Sequence, residues 1–298
     1  MTTIRIATRG SRLALIQTGL VADLLRARNA GLDVDVVTVV TAGDRDQSTP
    51  LQEGERAGWF TSAIQDALTR GEADIAVHSY KDLPTKRPDG LTIAAVPLRE
   101  DPRDALVSRL RVNLRSLPAG AIIGTSSPRR TAQILELRPD LEVRVIRGNV
   151  ETRVAKVESG EYDATVLALA GLRRLGLEAR ADHVFGYEEM LPSPAQGALA
   201  VECRSSDGAT RALLATIDDA TLRQSATAER TFLAAIDGGC SFPAAAHAEH
   251  FGTTLKLSAL IAADGRIFRS KMAGSAETAA GLGRQLAEEL MSLAGLEK

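Results

Sequence analysis

The sequence is short of cysteine, of aromatic residues and of long apolar runs, and each shortage excludes a class of protein. Two cysteines, Cys203 and Cys240, cannot form a disulfide framework or a four-thiolate metal site. Aromatic residues are only 3% of the chain, which leaves little material for stacking nucleic-acid bases. No run approaches the roughly 18 apolar residues of a membrane-spanning helix, and no signal-peptide pattern precedes Ile4, so we expect a cytoplasmic protein.

What remains is the composition of a globular protein rich in arginine. The 298 residues are 44% apolar and 25% charged, outside the range of disordered chains. At roughly 100 to 200 residues per domain, two or three domains are expected. The net charge is -2, yet 30 of the 36 basic residues are arginine, and many lie between Arg103 and Arg180. Because arginine holds carboxylate or phosphate by two hydrogen bonds at once, we expect this half to bind anions.

Strand and helix patterns alternate twice along the chain, which predicts two α/β lobes with largely parallel sheets. A charged segment, residues 99–104, separates the two sets, and Pro102 disfavours helix at Asp101, so we interpret the segment as a hinge. The predicted strands are Ile4–Thr8, Val34–Val40, Ile75–His78, Leu91–Val96, Ala121–Gly124, Glu142–Ile146 and Ala164–Ala168. The predicted helices are Ala14–Arg28, Thr61–Arg70, Arg130–Leu137 and Val150–Glu158.

Both lobes open with a strand that leads through small hydroxyl residues into a helix. The two turns are Ile6–Ser11 and Ile123–Pro128, and we interpret them as a weak internal repeat. A helix N-terminus presents free backbone N–H groups and partial positive charge, which favours an anion. The same residue types also serve simply as helix caps, and the sequence leaves both interpretations open.

From about Asp218 the pattern changes to that of a smaller α+β domain. A helix is predicted up to Asp237, and Gly238–Cys240 then breaks it. Alternation on both sides of Asp264–Gly265 predicts an antiparallel hairpin. Ala276–Leu293 is predicted as a closing helix.

Polar residues follow the apolar strand that ends near His78, where open α/β sheets bind their ligands. Lys81 and Asp82 are an adjacent base and acid that could transfer protons or stabilise a cation, although a surface ion pair gives the same pattern. Cys240 is predicted on a loop, where its thiol is either alkylated or inert. Cys203 is interpreted as a structural strand residue.

Two arginine-rich turns follow strands of the second lobe, and together they contribute Arg129, Arg130, Arg147 and Arg153. If each arginine binds a carboxylate by donating two hydrogen bonds, the ligand is a polycarboxylic acid. A polyphosphate is the weaker alternative. No phosphate-binding loop motif is present. Solvated surface arginines are the competing interpretation. His183, His247 and His250 lack metal-ligand spacing, and we predict no metal.

Six of these runs, in order and in register, resemble the porphobilinogen deaminases, also called hydroxymethylbilane synthases. The resemblance extends from about Ile4 to beyond Ala248. The runs are Ile6–Ser11, Ala76–Pro84, Glu100–Ala105, Gly124–Arg130, Arg147–Arg153 and Gly238–Cys240.

The resemblance implies a transferase of tetrapyrrole biosynthesis. Such an enzyme joins four porphobilinogen molecules head to tail with loss of four ammonias, then releases 1-hydroxymethylbilane by adding water. It implies a dipyrromethane cofactor held by a thioether to Cys240, and two lobes like those of periplasmic binding proteins plus a third domain. The implied boundaries are 1–97 with 193–217, 98–192 and 218–298.

The resemblance also assigns roles to single residues. Asp82 is the expected catalytic residue, and the enzyme is expected to act on a small molecule as a monomer, without nucleic acid or membrane. Expected cofactor ligands, besides Cys240 and Asp82, are Ser79, Lys81, Thr125, Ser126, Ser127, Arg129, Arg130, Arg147 and Gly148. Expected substrate ligands are Arg9, Ser11, Arg147, Arg153 and Gln196.

The sequence departs from the family pattern in two places. The mobile active-site loop usually carries a Gly-Lys-Gly-Leu-Phe-like run followed by Lys and Glu, whereas this chain has Arg56 and Ala57, then Ser62 and Ala63. After Leu191 and Pro192 the family commonly has Ala-Val-Gly-Gln-Gly, whereas this chain has Ser-Pro-Ala-Gln-Gly over residues 193–197, so Pro194 stands in the second crossing between lobes where the family has valine. The alternative function is a bilobal binding protein for a dicarboxylate or oxyanion, which has no use for a modified Cys240.

Overall fold

The computed structural model describes residues 2–41, 61–236 and 242–296. The chain divides into two units, Met1–Glu100 with Ala198–Gln224 and Asp101–Gly197 with Ser225–Lys298. The chain therefore leaves the first unit after Glu100 and returns to it at Ala198. The second unit contains two separate sheets. The further division of this unit into two domains, which would give three in all, stays a prediction.

The elements take the following bounds. The strands are β1 (Thr2–Arg9), β2 (Leu32–Val39), β3 (Ile75–Ser79), β4 (Leu91–Ala95), β5 (Asp104–Ser108), β6 (Ile122–Gly124), β7 (Glu142–Arg144), β8 (Ala164–Ala168), β9 (His183–Val184), β10 (Leu199–Arg204), β11 (Ala244–Phe251), β12 (Thr254–Ala263) and β13 (Arg266–Ser275). The α-helices are α1 (Arg12–Arg28), α2 (Ser62–Thr69), α3 (Pro128–Leu137), α4 (Val150–Glu158), α5 (Leu169–Arg174), α6 (Gly208–Ala215), α7 (Ala220–Ala235) and α8 (Ala279–Leu293).

The sheet of the first unit has the order β2-β1-β3-β10-β4. Its strands run in one direction except β10, which is antiparallel to both of its neighbours. Because side chains alternate along a strand, β3 buries Ile75 and Val77 with Leu25 of α1 on one face and Ala76 with Ile64 and Leu68 of α2 on the other. Both faces of β3 are therefore covered.

The main sheet of the second unit repeats this topology. Its order is β7-β6-β8-β5-β9, with β5 as the one antiparallel strand between neighbours. In each unit the antiparallel strand is the one that the chain forms after crossing, β5 on leaving the first unit and β10 on returning. The repeat predicted from two helix starts thus extends to the order of both sheets. The predicted α/β class with mixed, largely parallel sheets is confirmed.

The C-terminal part forms a three-stranded antiparallel sheet, β11-β12-β13, packed against α7 and α8. The predicted hairpin is confirmed, and its turn residues Asp264 and Gly265 both have positive φ, at 49° and 72°. Strand β11 was not predicted, because its alanines and histidines give no clear apolar alternation. Within the described ranges, no helix is both long and apolar enough to cross a membrane.

The predicted hinge is shorter in the structure than in the sequence interpretation. Asp104 is the first residue of the buried strand β5 and is fully buried. Arg99 forms an isolated β-bridge with Ala198, the irregular residues are 100–103, and Arg103 Nη2 lies 2.6 Å from Asp101 Oδ2. The start of the strand was not predicted, because Asp104 is charged and lies two residues after Pro102.

Candidate active site

The carboxyl ends of β1 and β3 form one edge of the first sheet, which we call the first edge. These strands are parallel neighbours, so Arg9 at the end of β1 and Ser79 at the end of β3 lie on the same edge. Ser11 caps α1 by accepting a hydrogen bond from Ala14 N at 3.3 Å. The predicted residues Arg9, Ser11 and Ser79 therefore share this edge.

Asp82 lies in a single 3-10 turn, Tyr80–Asp82, that follows β3 at the first edge. The turn is fixed at its start, where Tyr80 N donates to Ala198 O at 2.9 Å, and at its end by Leu83, which is buried. Asp82 itself is exposed, and its carboxylate makes no hydrogen bond or ion pair within the described ranges. An anchored turn therefore presents an available acid.

A residue that the sequence interpretation missed holds the end of β3. Gln17 of α1 is buried, and its Nε2 donates to Ser79 Oγ at 2.9 Å. A polar residue on the inner face of a helix was the available signal, since a buried amide needs a partner. Ser79, an expected cofactor ligand, is thus also a link between β3 and α1.

The second edge comprises the carboxyl ends of β6, β7 and β8. Thr125, Ser126 and Ser127 lead from β6 into α3, where Ser127 is the N-cap and Pro128 follows it. Ser126 Oγ donates to Ile146 O at 2.5 Å, which ties this turn to the one after β7. Pro128 has no N–H and Arg130 N donates to Ser127 Oγ at 3.4 Å, so the start of α3 offers an anion chiefly the partial positive charge of a helix N-terminus.

The turn after β7 requires glycine and presents an arginine. Gly148 has φ 107°, and a Cβ there would lie 2.6 Å from Thr152 Cγ2. Arg153 Nε donates to Gly148 O at 2.9 Å. Arg147 is half-buried, and its guanidinium has no hydrogen bond or ion pair to any described residue. A partly buried cation without an internal partner is suited to a carboxylate ligand.

Arg129 and Arg130 already hold a carboxylate of the protein. Arg129 Nη1 lies 2.7 Å from Asp104 Oδ2, and Arg130 Nη2 lies 2.7 Å from Asp104 Oδ1. The arginines also donate to the carbonyls of Leu191 and Val166. All three charged residues are buried. Burial alone would raise the pKa of Asp104, but the two guanidinium charges outweigh it and hold this pKa well below its usual range.

Gln196 completes this group, which we call the Asp104 cluster (Asp104, Arg129, Arg130 and Gln196). Gln196 is fully buried, and its Nε2 donates to Pro102 O at 2.7 Å and to Asp104 Oδ1 at 3.0 Å. The amide therefore joins the segment that leaves the first unit to the one that returns. Its expected substrate contact stays a prediction. Two guanidinium groups and one carboxylate leave the cluster with a net charge of +1.

Other predicted residues fall elsewhere. Cys240, Arg56 and Ala57 lie outside the described residues, while Ser62 begins α2. Cys203 is buried in β10, as predicted for a strand residue, and burial raises the pKa of its thiol. In the described ranges, no group of three or more His, Cys, Asp or Glu side chains could hold a metal ion.

Two α/β sheets, each with polar and charged residues at the carboxyl ends of its strands, define the class as an α/β protein with two such edges. The family model "Porphobilinogen deaminase, dipyromethane cofactor binding domain" matches residues 4–212, and the model of the family's C-terminal domain matches residues 223–292. The porphobilinogen deaminase of Roseiflexus castenholzii is 46% identical over 293 residues, which are 98% of this chain and 97% of that protein.

The chain belongs to the porphobilinogen deaminase family. It is therefore a transferase of tetrapyrrole biosynthesis with a dipyrromethane cofactor, and a binding protein without catalysis is not favoured.

Solved structures with low sequence identity were also matched. The VFT2 domain of Bordetella pertussis BvgS is 16% identical, with a TM-score of 0.43 over 72% of this chain and 86% of that one. An arginine-specific periplasmic binding protein of Salmonella typhimurium is 11% identical, with a TM-score of 0.42 over 73% and 92%.

The Asp104 cluster predicts a pH-dependent loss of stability. Asp104→Asn removes the carboxylate that two buried guanidinium groups share, so the free energy of unfolding should fall by about 3 to 5 kcal/mol at neutral pH. Because the folded pKa lies below the unfolded value of about 3.9, this contribution is complete above about pH 4 and declines as the pH falls further. Denaturant unfolding from pH 3 to pH 8 measures it.

The matched control is Glu142→Gln, which breaks the exposed Arg144–Glu142 pair and should change stability by less than about 1 kcal/mol. Equal stability of Asp104→Asn and the wild type at neutral pH would contradict the proposed importance of the cluster.

Proposed function

We propose that this chain joins porphobilinogen units with Asp82 as its catalytic residue, the second edge as its carboxylate-binding surface and Cys240 as the attachment point of the dipyrromethane. The observation that carries the proposal is the exposed Asp82 carboxylate, presented without a described partner on an anchored turn. A carboxylate so placed is free to interact with charge that develops on a substrate.

The reaction requires a group that stabilises positive charge and takes up a proton. When ammonia leaves porphobilinogen, the C–N bond breaks and the methylene carbon becomes electron-poor, with positive charge shared by the pyrrole nitrogen. A new C–C bond then forms to the free position of the neighbouring pyrrole, and that carbon must lose its proton. Asp82 would stabilise the positive charge by proximity and accept or pass the proton. Lys81, its neighbour in the turn, would bind a carboxylate.

The residues of the second edge suit a cofactor that carries carboxylates. Each pyrrole unit bears an acetate and a propionate, so a dipyrromethane is a polyanion. The buried net charge of +1 in the Asp104 cluster, the N-terminus of α3 and the available guanidinium of Arg147 all favour such a ligand. When bound, the dipyrromethane supplies the terminal pyrrole carbon to which the first substrate is joined.

The expected ligands divide into two kinds. Arg147 and Arg153 would bind carboxylates directly, together with Arg9 and Ser11 of the first edge. Arg129 and Arg130, whose donors are partly taken by Asp104, would contribute their remaining N–H groups and their charge. Thr125, Ser126, Ser127 and Gly148 would shape the turns around the cofactor.

The remaining proposals concern the oligomeric state, the cellular location and the partners of the enzyme. We propose that it works as a monomer in the cytoplasm on a small-molecule substrate, without a nucleic-acid partner. The net charge of -2 and the 3% aromatic content support the absence of nucleic acid.

Asp82→Asn should lower kcat by about 10²- to 10⁴-fold, because the amide neither carries the charge nor accepts the proton. The residue is exposed, so the thermal midpoint should stay close to that of the wild type. Turnover of porphobilinogen per cofactor-loaded molecule measures the effect. Asp89→Asn, an exposed aspartate later in the same unit, is the control and should keep wild-type activity. Normal turnover by Asp82→Asn would contradict the assigned role.

Arg147→Leu should impair binding of porphobilinogen or of the growing chain by about 10-fold or more, because a charge-assisted pair contributes about 1.5 to 3 kcal/mol. Arg144→Leu is the matched control, since Arg144 lies at the end of β7 but is exposed and paired with Glu142 at 2.6 Å. Steady-state KM and the distribution of chain-length intermediates in both variants provide the test. Equal behaviour of the two variants would exclude Arg147 as a ligand.

A further inference from the structure

The end of β3 is held by polar side chains on both of its faces. On the face toward α1, Ser79 contacts Gln17, as described above. On the opposite face, which α2 covers, His78 is buried. This second contact has no part in the chemistry proposed so far, and its partners come from two other elements.

The partner of His78 is Glu202, a fully buried carboxylate on β10. Glu202 pairs with Ala76 and Ala200 pairs with His78 in the antiparallel register, so the two side chains are diagonal neighbours on one face. His78 Nε2 lies 3.2 Å from Glu202 Oε2, within ion-pair distance but not aligned as a hydrogen bond.

The third member is Gln65 of α2, also buried. Its Nε2 donates to both oxygens of Glu202, at 3.1 Å and 3.2 Å. One carboxylate therefore links α2, β3 and β10, and we call these three residues the Glu202 cluster. Its surroundings on this face are apolar, with Ile64 and Leu68 among them.

Stability alone does not account for the Glu202 cluster. Burying a carboxylate carries a large desolvation cost, and apolar residues of similar volume in place of a buried ionic group are often neutral or stabilising. What polar contacts add is a defined geometry, since hydrogen bonds and ion pairs fix direction as well as distance. The position of the cluster indicates which geometry it fixes.

The catalytic turn begins two residues after His78. Its first N–H, that of Tyr80, donates to Ala198 O just before β10. The turn is thus anchored to the same two strands that Glu202 and His78 join. A shift of β3 relative to β10 would move the turn and Asp82 with it.

We propose that Glu202 is a positioning residue that fixes the end of β3 through His78 and Gln65, and so sets the position of Asp82. The inference rests on the proposed function of Asp82. Because the arginines of the second edge belong to the other unit, whereas Asp82 and Lys81 share the turn that follows β3, loss of the cluster should lower kcat by a larger factor than it raises KM.

The test compares Glu202→Met, which keeps the volume but removes both acceptors, with Glu202→Gln, which keeps one. We expect kcat per cofactor-loaded, folded molecule to fall by up to about 10²-fold in Glu202→Met, because small misplacements of a reacting group have effects of that size. KM for porphobilinogen should change by a smaller factor than kcat, and Glu202→Gln should recover most of the lost kcat.

Val201→Ala is the matched control. Val201 lies next to Glu202 on β10 but is buried in the core toward α1. The cavity should lower the thermal midpoint without changing kcat per folded molecule. If Glu202→Met fails to fold, His78→Leu serves instead, because it leaves the Glu202–Gln65 contact in place.

A folded Glu202→Met or His78→Leu with wild-type kcat would overturn the inference, as would a loss of kcat matched by Val201→Ala at equal thermal stability. These outcomes are separate from failure of the proposed function. Full activity of Asp82→Asn would refute the role of Asp82, whereas an inactive Asp82→Asn beside a fully active Glu202→Met would refute only the positioning role.

Discussion

The buried Asp104 carboxylate, shared by two guanidinium groups, is the interaction on which the second unit depends. Asp104 is the first residue of β5, where the chain has just left the first unit. Through Arg129 it is joined to the start of α3 and to Leu191, and through Gln196 to the segment that leads back to the first unit. One carboxylate therefore fixes the start of a strand and the start of a helix, and through Gln196 it also contacts the segment just before residue 198. Such a group is stable inside the protein only while all its partners are present.

The same interaction sets the electrostatics of the second edge. A neutral core would offer a carboxylate-bearing ligand only the dipoles of a helix N-terminus, whereas the Asp104 cluster adds a buried net positive charge. In a medium of low dielectric constant, that charge acts strongly on a nearby anion. The first edge differs in having an exposed acid, Asp82, on a short turn, beside the basic residues Arg9 and Lys81. In the proposed function, buried and fixed charge supports carboxylate binding, and proton transfer falls to a carboxylate that solvent and substrate can reach.

Local patterns predicted the repeated elements well. The predicted bounds of β8 and α4 match the structure residue for residue, because both have strong periodicity and clear ends. Sequence also located Asp82 at a strand end. The partners of Arg129 and Arg130 were not predicted, since Asp104 lies 25 and 26 residues away and was assigned to a charged hinge. The sequence interpretation missed Gln17, Gln65 and Glu202 for a related reason. The role of a buried polar residue can be inferred only when its long-range hydrogen-bond partner is known.

The proposed chemistry depends on a dipyrromethane that is covalently attached to Cys240. The most direct measurement is the intact mass of the denatured protein after incubation with porphobilinogen, for the wild type, Cys240→Ser and Cys203→Ala. Because a thioether survives unfolding, we expect a mass excess of two linked pyrrole units in the wild type and in Cys203→Ala, and none in Cys240→Ser. An unmodified wild type, or the same excess in Cys240→Ser, would contradict it.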